Sequence, residues 1–291
     1  MRQCLLLLLL AYSCMITAQT FHYPVPPDSI NDRQERIAYM VSHFWDEQSI
    51  SDTTNFQSPR LLLDYLYLLK QEESNRLDNH IKLFVSLACK KEQSFERILF
   101  WLDQILYDSS SPHYNEDVYL RLMTEVIASE ADSVMKLIPE ERIKMMSQNQ
   151  VGKHANDFSY VDRKRKQHRM YDVDAPLLLL IFNNPDCSLC LNTERALNSN
   201  KHLQETMNGG VLRILAITPD ASLKDWKRHN YPSNWLVGFD NGKAIYKQRL
   251  YDIQRLPCMY LLDKDKRVLL KEADYGRVCK YLSENTSLFE R

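Results

Sequence analysis

The feature that most constrains the fold of this chain is an apolar run that leads into two closely spaced cysteines. Residues 176–182 read PLLLLIF, which is a run of strand length without a polar interruption. Such a run is typical of a central β-strand buried on both faces. After four intervening residues, Cys187 and Cys190 stand three positions apart at the start of a helical pattern. The sequence therefore predicts a strand, a short loop and a helix whose first turn carries both thiols.

The residues around this pair alternate between strand-like and helix-like patterns. A β-hairpin is expected from residues 157–161 and 168–173, with the basic run 162–166 as its solvated turn. The further elements are a helix at 189–205, a strand at 211–217, a helix at 222–230, strands at 259–262 and 267–270, and a closing helix at 275–282. This order predicts an α/β domain with a mixed central sheet over residues 151–291.

The N-terminal half has a different pattern. Apolar residues recur at three- and four-residue steps from Asp28 onward, and no strand-like alternation occurs in residues 28–148. The segments 74–90, 93–107, 115–129 and 131–147 are each predicted to be helical. We therefore expect an all-helical domain over residues 19–150, preceding the α/β domain.

The first 18 residues have the pattern of a secretory signal. Arg2 is followed by six leucines, Leu5 to Leu10, and small residues lead to Ala18. This run is shorter than the roughly 20 residues that span a bilayer, and it fits the core of a cleaved signal peptide. We expect residues 1–18 to be removed, which leaves a periplasmic mature chain without a transmembrane segment. Lipid attachment at Cys14 is the alternative, but its flanking residues match a lipoprotein signal less well.

The chemistry expected at the cysteine pair follows from its place at a helix start. Free backbone N–H groups and the helix dipole stabilise a thiolate there, and the thiolate is the attacking species in disulfide exchange. Cys187 should be the nucleophile, and Cys190 should resolve the mixed disulfide. A zinc site would need four ligands, and no second Cys or His pair accompanies this one. A purely structural disulfide stays open as an alternative. Disulfide exchange needs neither a metal nor an organic cofactor.

A proline supports the functional interpretation. Pro257 lies 70 positions after Cys187 and directly precedes a predicted strand, where a proline that cannot donate to the ladder is tolerated. Thioredoxin-like folds place a cis-proline opposite the dithiol at about this interval, and a resemblance to them implies that the bond before Pro257 is cis and that the proline lies opposite the two thiols. The alternative is an ordinary proline at a strand edge.

Residues 151–291 resemble the thioredoxin-like superfamily, in the exported branch related to cytochrome-maturation and alkyl-hydroperoxide-reductase-like proteins. The resemblance is carried by VGKHANDFSYV, PLLLLIFNNPDCSLC, VLRILAIT and LPCMYLLDKDKRVL. It implies that Cys187 attacks, that Cys190 resolves and that Pro257 is the cis-proline of the family. Residues 36–150 resemble an uncharacterised helical domain of Bacteroidetes-type exported proteins, through SHFWDEQSISDTT and LYDSSSPHYNEDVYL.

The sequence also departs from the thioredoxin pattern. Asp186 replaces the usual tryptophan before the first cysteine, and its negative charge opposes thiolate formation. Ile181 occupies the position of the usual buried carboxylate. Thr193 stands where exported relatives often have glutamate, so that Glu194 is the nearest candidate acid, although a solvated helix residue is the simpler interpretation.

The remaining cysteines and histidines of the mature chain suggest structural roles. Cys258 follows Pro257 and is interpreted as a small buried residue, with a third exchange thiol as the alternative. Cys89 and Cys279 lie in apolar helical patterns and are predicted to be core residues. His202 and His229 are isolated in sequence and are predicted to lie on the surface.

Together these patterns predict a periplasmic thiol–disulfide oxidoreductase that acts on protein thiols and disulfides. A reductase of this kind would also need a membrane electron donor. The alternative is a non-catalytic thioredoxin-like module that binds a protein partner and carries a structural disulfide. The net charge of -1 gives no reason to expect nucleic acid as a partner.

Overall fold

A computed structural model describes residues 21–46, 50, 52–108 and 110–285. The predicted signal peptide and Cys14 lie outside these residues. The chain divides into two compact units between Lys136 and Leu137, and the units are described here separately. No helix in the described part of the chain is long and apolar enough to cross a membrane.

The first unit is helical, as the sequence predicted. Its helices are α1 (Arg33–His43), α2 (Arg60–Leu69), α3 (Ser74–Ala88), α4 (Glu92–Leu102), α5 (Glu116–Ala128) and α6 (Ser133–Met146), the last of which continues into the second unit. Side-chain caps begin two of them. The Asp32 carboxylate accepts the Glu35 N–H at 2.9 Å, and the Asn115 side chain accepts the Val118 N–H at 3.0 Å. These caps satisfy backbone donors that a helix start leaves free.

An aromatic cluster fills part of the core of this unit. Phe44, Trp45 and Tyr65 are buried, and the rings of Tyr65 and Phe84 stack with their centroids 4.9 Å apart. Such contacts stabilise beyond the apolar area they bury.

The helix predicted at 93–107 has the expected extent, but its last turn is not α-helical. The α-helix ends at Leu102, and a π-helical turn follows over Asp103–Tyr107, where the Asp108 N–H bonds to the Asp103 carbonyl at 3.0 Å. The apolar residues of that turn remain buried, so the periodicity identified the buried side chains but not the backbone geometry.

The second unit contains a seven-stranded mixed sheet with the order β2-β1-β5-β4-β3-β6-β7. The strands are β1 (Ser159–Val161), β2 (Gln167–Arg169), β3 (Leu177–Phe182), β4 (Leu212–Thr218), β5 (Leu236–Phe239), β6 (Cys258–Asp263) and β7 (Val268–Ala273). All six residues of β3 are buried, and this strand pairs parallel with β4 and antiparallel with β6. The leucine-rich run is therefore the central strand, and the predicted α/β class with a mixed sheet is confirmed.

Strand β5 was not predicted. It has four residues, pairs parallel with β4, and contains Gly238. A Cβ at this glycine would lie 2.3 Å from the Tyr160 ring and 2.6 Å from Ile217 Cδ1. Glycine is thus required by close packing between strands, although its presence weakened the strand signal in the sequence.

The described part of the second unit contains five further α-helices. They are α7 (Ser188–Ser199), α8 (Lys201–Asn208), α9 (Leu223–Arg228), α10 (Ala244–Lys247) and α11 (Tyr275–Asn285). The single helix predicted at 189–205 is two helices, because Asn200 has extended backbone angles. Its side chain accepts the Leu203 N–H at 3.1 Å and starts α8.

The predicted hairpin is present as β1 and β2. The Asp162 carboxylate accepts backbone N–H groups from Lys164 and Lys166, each at 2.8 Å, and Arg165 adopts a left-handed φ of 65°. The acidic residue therefore organises the turn that carries the basic run.

Candidate thiol site

Cys187 is the N-cap residue of α7, directly after the loop that leaves the buried strand β3. Its Sγ accepts the backbone N–H of Cys190 at 3.3 Å. The residue is half-buried, while Ser188 and Leu189 beside it are exposed. The sulfur therefore lies where the free N–H groups of a helix start can stabilise negative charge.

Cys190 has a different environment, although it lies one turn away. It is 3% exposed. Burial, reinforced by the neighbouring Cys187 thiol, raises the pKa of Cys190 to about 12, and the backbone of Asn184 acts weakly in the opposite direction. Cys190 is therefore protonated at neutral pH and is screened from solvent. Both cysteines are free thiols in the structure.

The structure brings Pro257 to the same site. The Leu256–Pro257 bond is cis, as predicted, and the Leu256 carbonyl accepts from the Cys187 thiol at 3.6 Å. The three predicted site residues thus come together from the β3–α7 junction and from the loop before β6. Their catalytic use remains a prediction.

Cys258 faces away from solvent. It is buried in the cluster that includes Phe182 and Tyr260, and its thiol donates to the Asp252 carbonyl at 3.8 Å. Burial raises its pKa well above the ordinary value for a thiol. The structure therefore agrees with the interpretation of Cys258 as a small buried residue.

Cys89 and Cys279, predicted to be core residues, are both half-buried. Cys279 packs against the core of the second unit, so the prediction is wrong only in its expectation of full burial. Cys89 follows the last residue of α3, and Cys279 accepts a hydrogen bond from Asn200 Nδ2 at 3.5 Å. Helical periodicity placed these residues near an apolar face but did not show that they lie at its border.

The structure also corrects the predictions for two polar residues. Glu194 and His229 were predicted to be solvated, but their carboxylate and imidazole lie 2.8 Å apart, with side chains only 12% and 17% exposed. The Tyr231 ring packs edge-on against His229, and its hydroxyl contacts Thr218 at 2.9 Å. Nothing in the sequence pairs residues 35 positions apart, so this contact could not be predicted. His202 is exposed, as expected.

No group of three or more His, Cys, Asp or Glu side chains is placed to hold a metal ion in the part of the chain that the structure describes.

The sheet order, the two thiols at the end of β3 and the cis-proline opposite them define the thioredoxin-like class of proteins. Residues 11–149 match the family described as a domain of unknown function, DUF5106. The N-terminal region therefore matches a DUF5106 domain, and the region that follows has a thioredoxin-like fold.

The chain is also similar to solved structures. A thioredoxin-like protein from Bacteroides caccae is 29% identical, with a TM-score of 0.75, and the alignment covers 92% of this chain and 99% of that one. The C-terminal domain of an uncharacterized protein from Bacteroides fragilis is 34% identical over 46% of this chain and 98% of that one, with a TM-score of 0.46. No curated protein matches this chain.

Proposed function

We propose that this protein is a periplasmic thiol–disulfide oxidoreductase that exchanges disulfides with protein thiols through Cys187 and Cys190. The observation that carries the proposal is the asymmetry of the two sulfurs. Cys187 is half-buried at a helix start and receives the Cys190 N–H at 3.3 Å, whereas Cys190 is buried, with its pKa raised to about 12 by burial. One thiol can meet a substrate, and the other is kept for the second step.

In the reducing direction, the Cys187 thiolate attacks one sulfur of a substrate disulfide. The substrate S–S bond breaks, a mixed disulfide forms, and the other substrate sulfur leaves as a thiolate. Cys190 then loses its proton and attacks the Cys187 sulfur, which releases the second substrate sulfur. Two electrons pass from the dithiol to the substrate, and the Cys187–Cys190 disulfide forms. The same steps in reverse oxidise a substrate dithiol.

The surface around Cys187 suits a protein substrate. Leu189 is a large apolar side chain that is 60% exposed in the first turn of α7. The backbone before Pro257 also lies beside the sulfur, since the Leu256 carbonyl contacts it. A substrate segment can therefore meet an apolar side chain and a peptide backbone while its sulfur approaches Cys187.

The cell compartment and the electron donor belong to the same proposal. The signal-like residues 1–18 are the basis for export, and dithiols in oxidising compartments need continued reduction to act as reductants. A membrane-bound dithiol donor would supply those electrons. Labelled full-length protein in cell fractions tests the location, and retention of the protein in the cytoplasm would contradict it.

The test of exchange is a mixed-disulfide trap. A Cys190→Ser chain should accumulate mixed disulfides with protein partners through Cys187, because the resolving thiol is missing. The matched control is Cys190→Ser with Cys187→Ser, which should trap nothing. Two negative results together would support the rival function, a non-catalytic binding module. In that case the wild-type chain does not reduce insulin with dithiothreitol, and the Cys190→Ser chain traps no partner.

A further inference from the structure

The loop of residues 250–257 lies against the thiol site and ends in the cis Leu256–Pro257 bond. Near its end, the Leu256 carbonyl accepts from the Cys187 thiol at 3.6 Å. In its middle, the Asp252 carbonyl accepts from the buried Cys258 thiol at 3.8 Å. We call residues 250–257 the thiol-facing loop. Its position decides which backbone group meets the reactive sulfur.

Two amide side chains fix the beginning of this loop. The Leu250 carbonyl accepts from Asn149 Nδ2 and from Asn156 Nδ2, each at 2.8 Å. Asn149 in turn accepts the Asn156 backbone N–H at 2.7 Å. Asn149 is 5% exposed, so its hydrogen bonds are shielded from competing water.

The backbone of Asn149 is also specialised. Its φ of 50° lies in the left-handed region, which asparagine adopts more readily than most side chains. The residue therefore combines an unusual backbone angle with an amide that uses both its donor and its acceptor. Other side chains would lose the donor, the acceptor or the backbone angle.

The end of helix α6 lies within the second unit and contacts other residues of that unit. Lys271, a buried residue of β7, donates from Nζ to the Met146 carbonyl at 2.8 Å. A positive charge at a helix C-terminus is favourable. Glu141 of α6 forms an ion pair with Arg249, the residue that precedes the thiol-facing loop. The Glu141–Arg249 ion pair and the Asn149 hydrogen bond to Leu250 thus both lie at the start of the loop.

We propose that residues 141–149 are a positioning element for the dithiol and that Asn149 is its central residue. The inference rests on the proposed function of Cys187 and Cys190. Asn149 holds Leu250, and Leu250 sets the start of the segment whose Leu256 carbonyl meets Cys187. A segment predicted from sequence to belong to the helical domain therefore supports the thiol chemistry without touching either sulfur.

The test uses Asn149→Gly in the full-length chain. Glycine adopts the left-handed backbone without strain, so the substitution removes the amide and little else. One of the two hydrogen bonds to the Leu250 carbonyl is then lost, and Asn156, which makes the other, is no longer held by Asn149. The thiol-facing loop can then shift, which weakens the contact of the Cys187 thiol with its carbonyl acceptor, and the reduced form is stabilised less. Loss of one such hydrogen bond corresponds to about a threefold change in an equilibrium constant. We expect the equilibrium constant for oxidation of the dithiol by oxidised glutathione to rise about threefold, and the rate of Cys187 alkylation by iodoacetamide to change.

The matched control is Arg165→Gly. Arg165 also has a left-handed φ, of 65°, but it is exposed in the turn between β1 and β2. This variant should leave both measurements unchanged. Asn149→Asp is the second test variant, because it keeps the acceptor for Asn156 but cannot donate to Leu250. It carries the test if Asn149→Gly does not fold.

The proposal is overturned if Asn149→Gly and Asn149→Asp both match the Arg165→Gly control in the glutathione equilibrium and in alkylation. Both measurements can be made on any pair of neighbouring thiols. They therefore report on the positioning element independently of the proposed function. The proposed function is contradicted instead if the wild-type chain reduces no insulin and the Cys190→Ser chain traps no partner.

Discussion

The buried histidine–glutamate pair of the helical unit and the cysteine pair of the thioredoxin-like unit lie in different surroundings. In the helical unit, His80 contacts Glu72 at 3.0 Å, with side chains 12% and 0% exposed, and both are enclosed by helix packing. In the thioredoxin-like unit, Cys187 is half-buried as the N-cap residue of helix α7. The comparison shows that the reactive group lies where a strand ends, not where helices pack side by side.

The physical reason is the geometry of the elements. Helices that pack laterally bury one stripe of side chains and satisfy their backbone groups internally. A buried strand that leads into a helix places a helix start, with its free N–H groups, at the edge of the sheet. The same leucine-rich strand that stabilises the fold therefore also sets the position of the thiol.

The largest expected effect comes from removing the thiol that distinguishes the second unit. Cys187→Ser should abolish insulin reduction, because a hydroxyl cannot replace a thiolate in exchange. Cys258→Ser is the matched control, since the Cys258 thiol is buried and donates to the Asp252 backbone carbonyl. Equal loss of activity in both variants would contradict the assignment of Cys187 as the attacking thiol.

A smaller effect should follow from core substitutions that destabilise one unit at a time. Leu66 of α2 and Leu179 of β3 are both buried, and truncation of such a leucine to alanine costs about 2–5 kcal/mol. Leu179→Ala should raise hydrogen exchange across the sheet and reduce thiol activity in proportion. Leu66→Ala should raise exchange in the helical unit. Mass spectrometry of exchanged peptides measures both, and loss of protection across the whole chain from Leu66→Ala would show that the units unfold together.

The smallest expected effect is a pH dependence confined to the helical unit. Burial lowers the pKa of His80, Glu72 acts in the opposite direction, and Arg76 adds to the lowering. The unfolded chain, with a histidine pKa of about 6.5, then binds the proton more readily than the folded chain. The helical unit should lose stability as the pH falls below about 6.5. Unfolding midpoints between pH 5 and pH 8 measure this loss.

His80→Gln should make that pH dependence shallower, since the titrating group is gone. His113→Gln is the matched control in the same unit, because His113 is exposed, and it should leave the pH dependence unchanged. A His80→Gln chain with the wild-type slope would show that another group controls the acid sensitivity.

Much of the fold could be predicted because local patterns carried it. The apolar run at 176–182 predicted the central strand, and the three-residue spacing of the cysteines predicted one helical turn. The predicted cis bond before Pro257 is present in the structure. In contrast, β5 was missed because Gly238 interrupts its apolar pattern, and the break at Asn200 was missed because its cap is a single hydrogen bond.

The sequence by itself determined the two-part order, the buried strand and the place of the dithiol at a helix start, because each depends on residues close together in the chain. Only the tertiary structure decided which distant groups meet. It paired Glu194 with His229 and placed the Leu256 carbonyl beside Cys187. It also joined Asn149 to Leu250 across 101 positions. Such contacts depend on how the sheet and helices pack, and no local pattern encodes them.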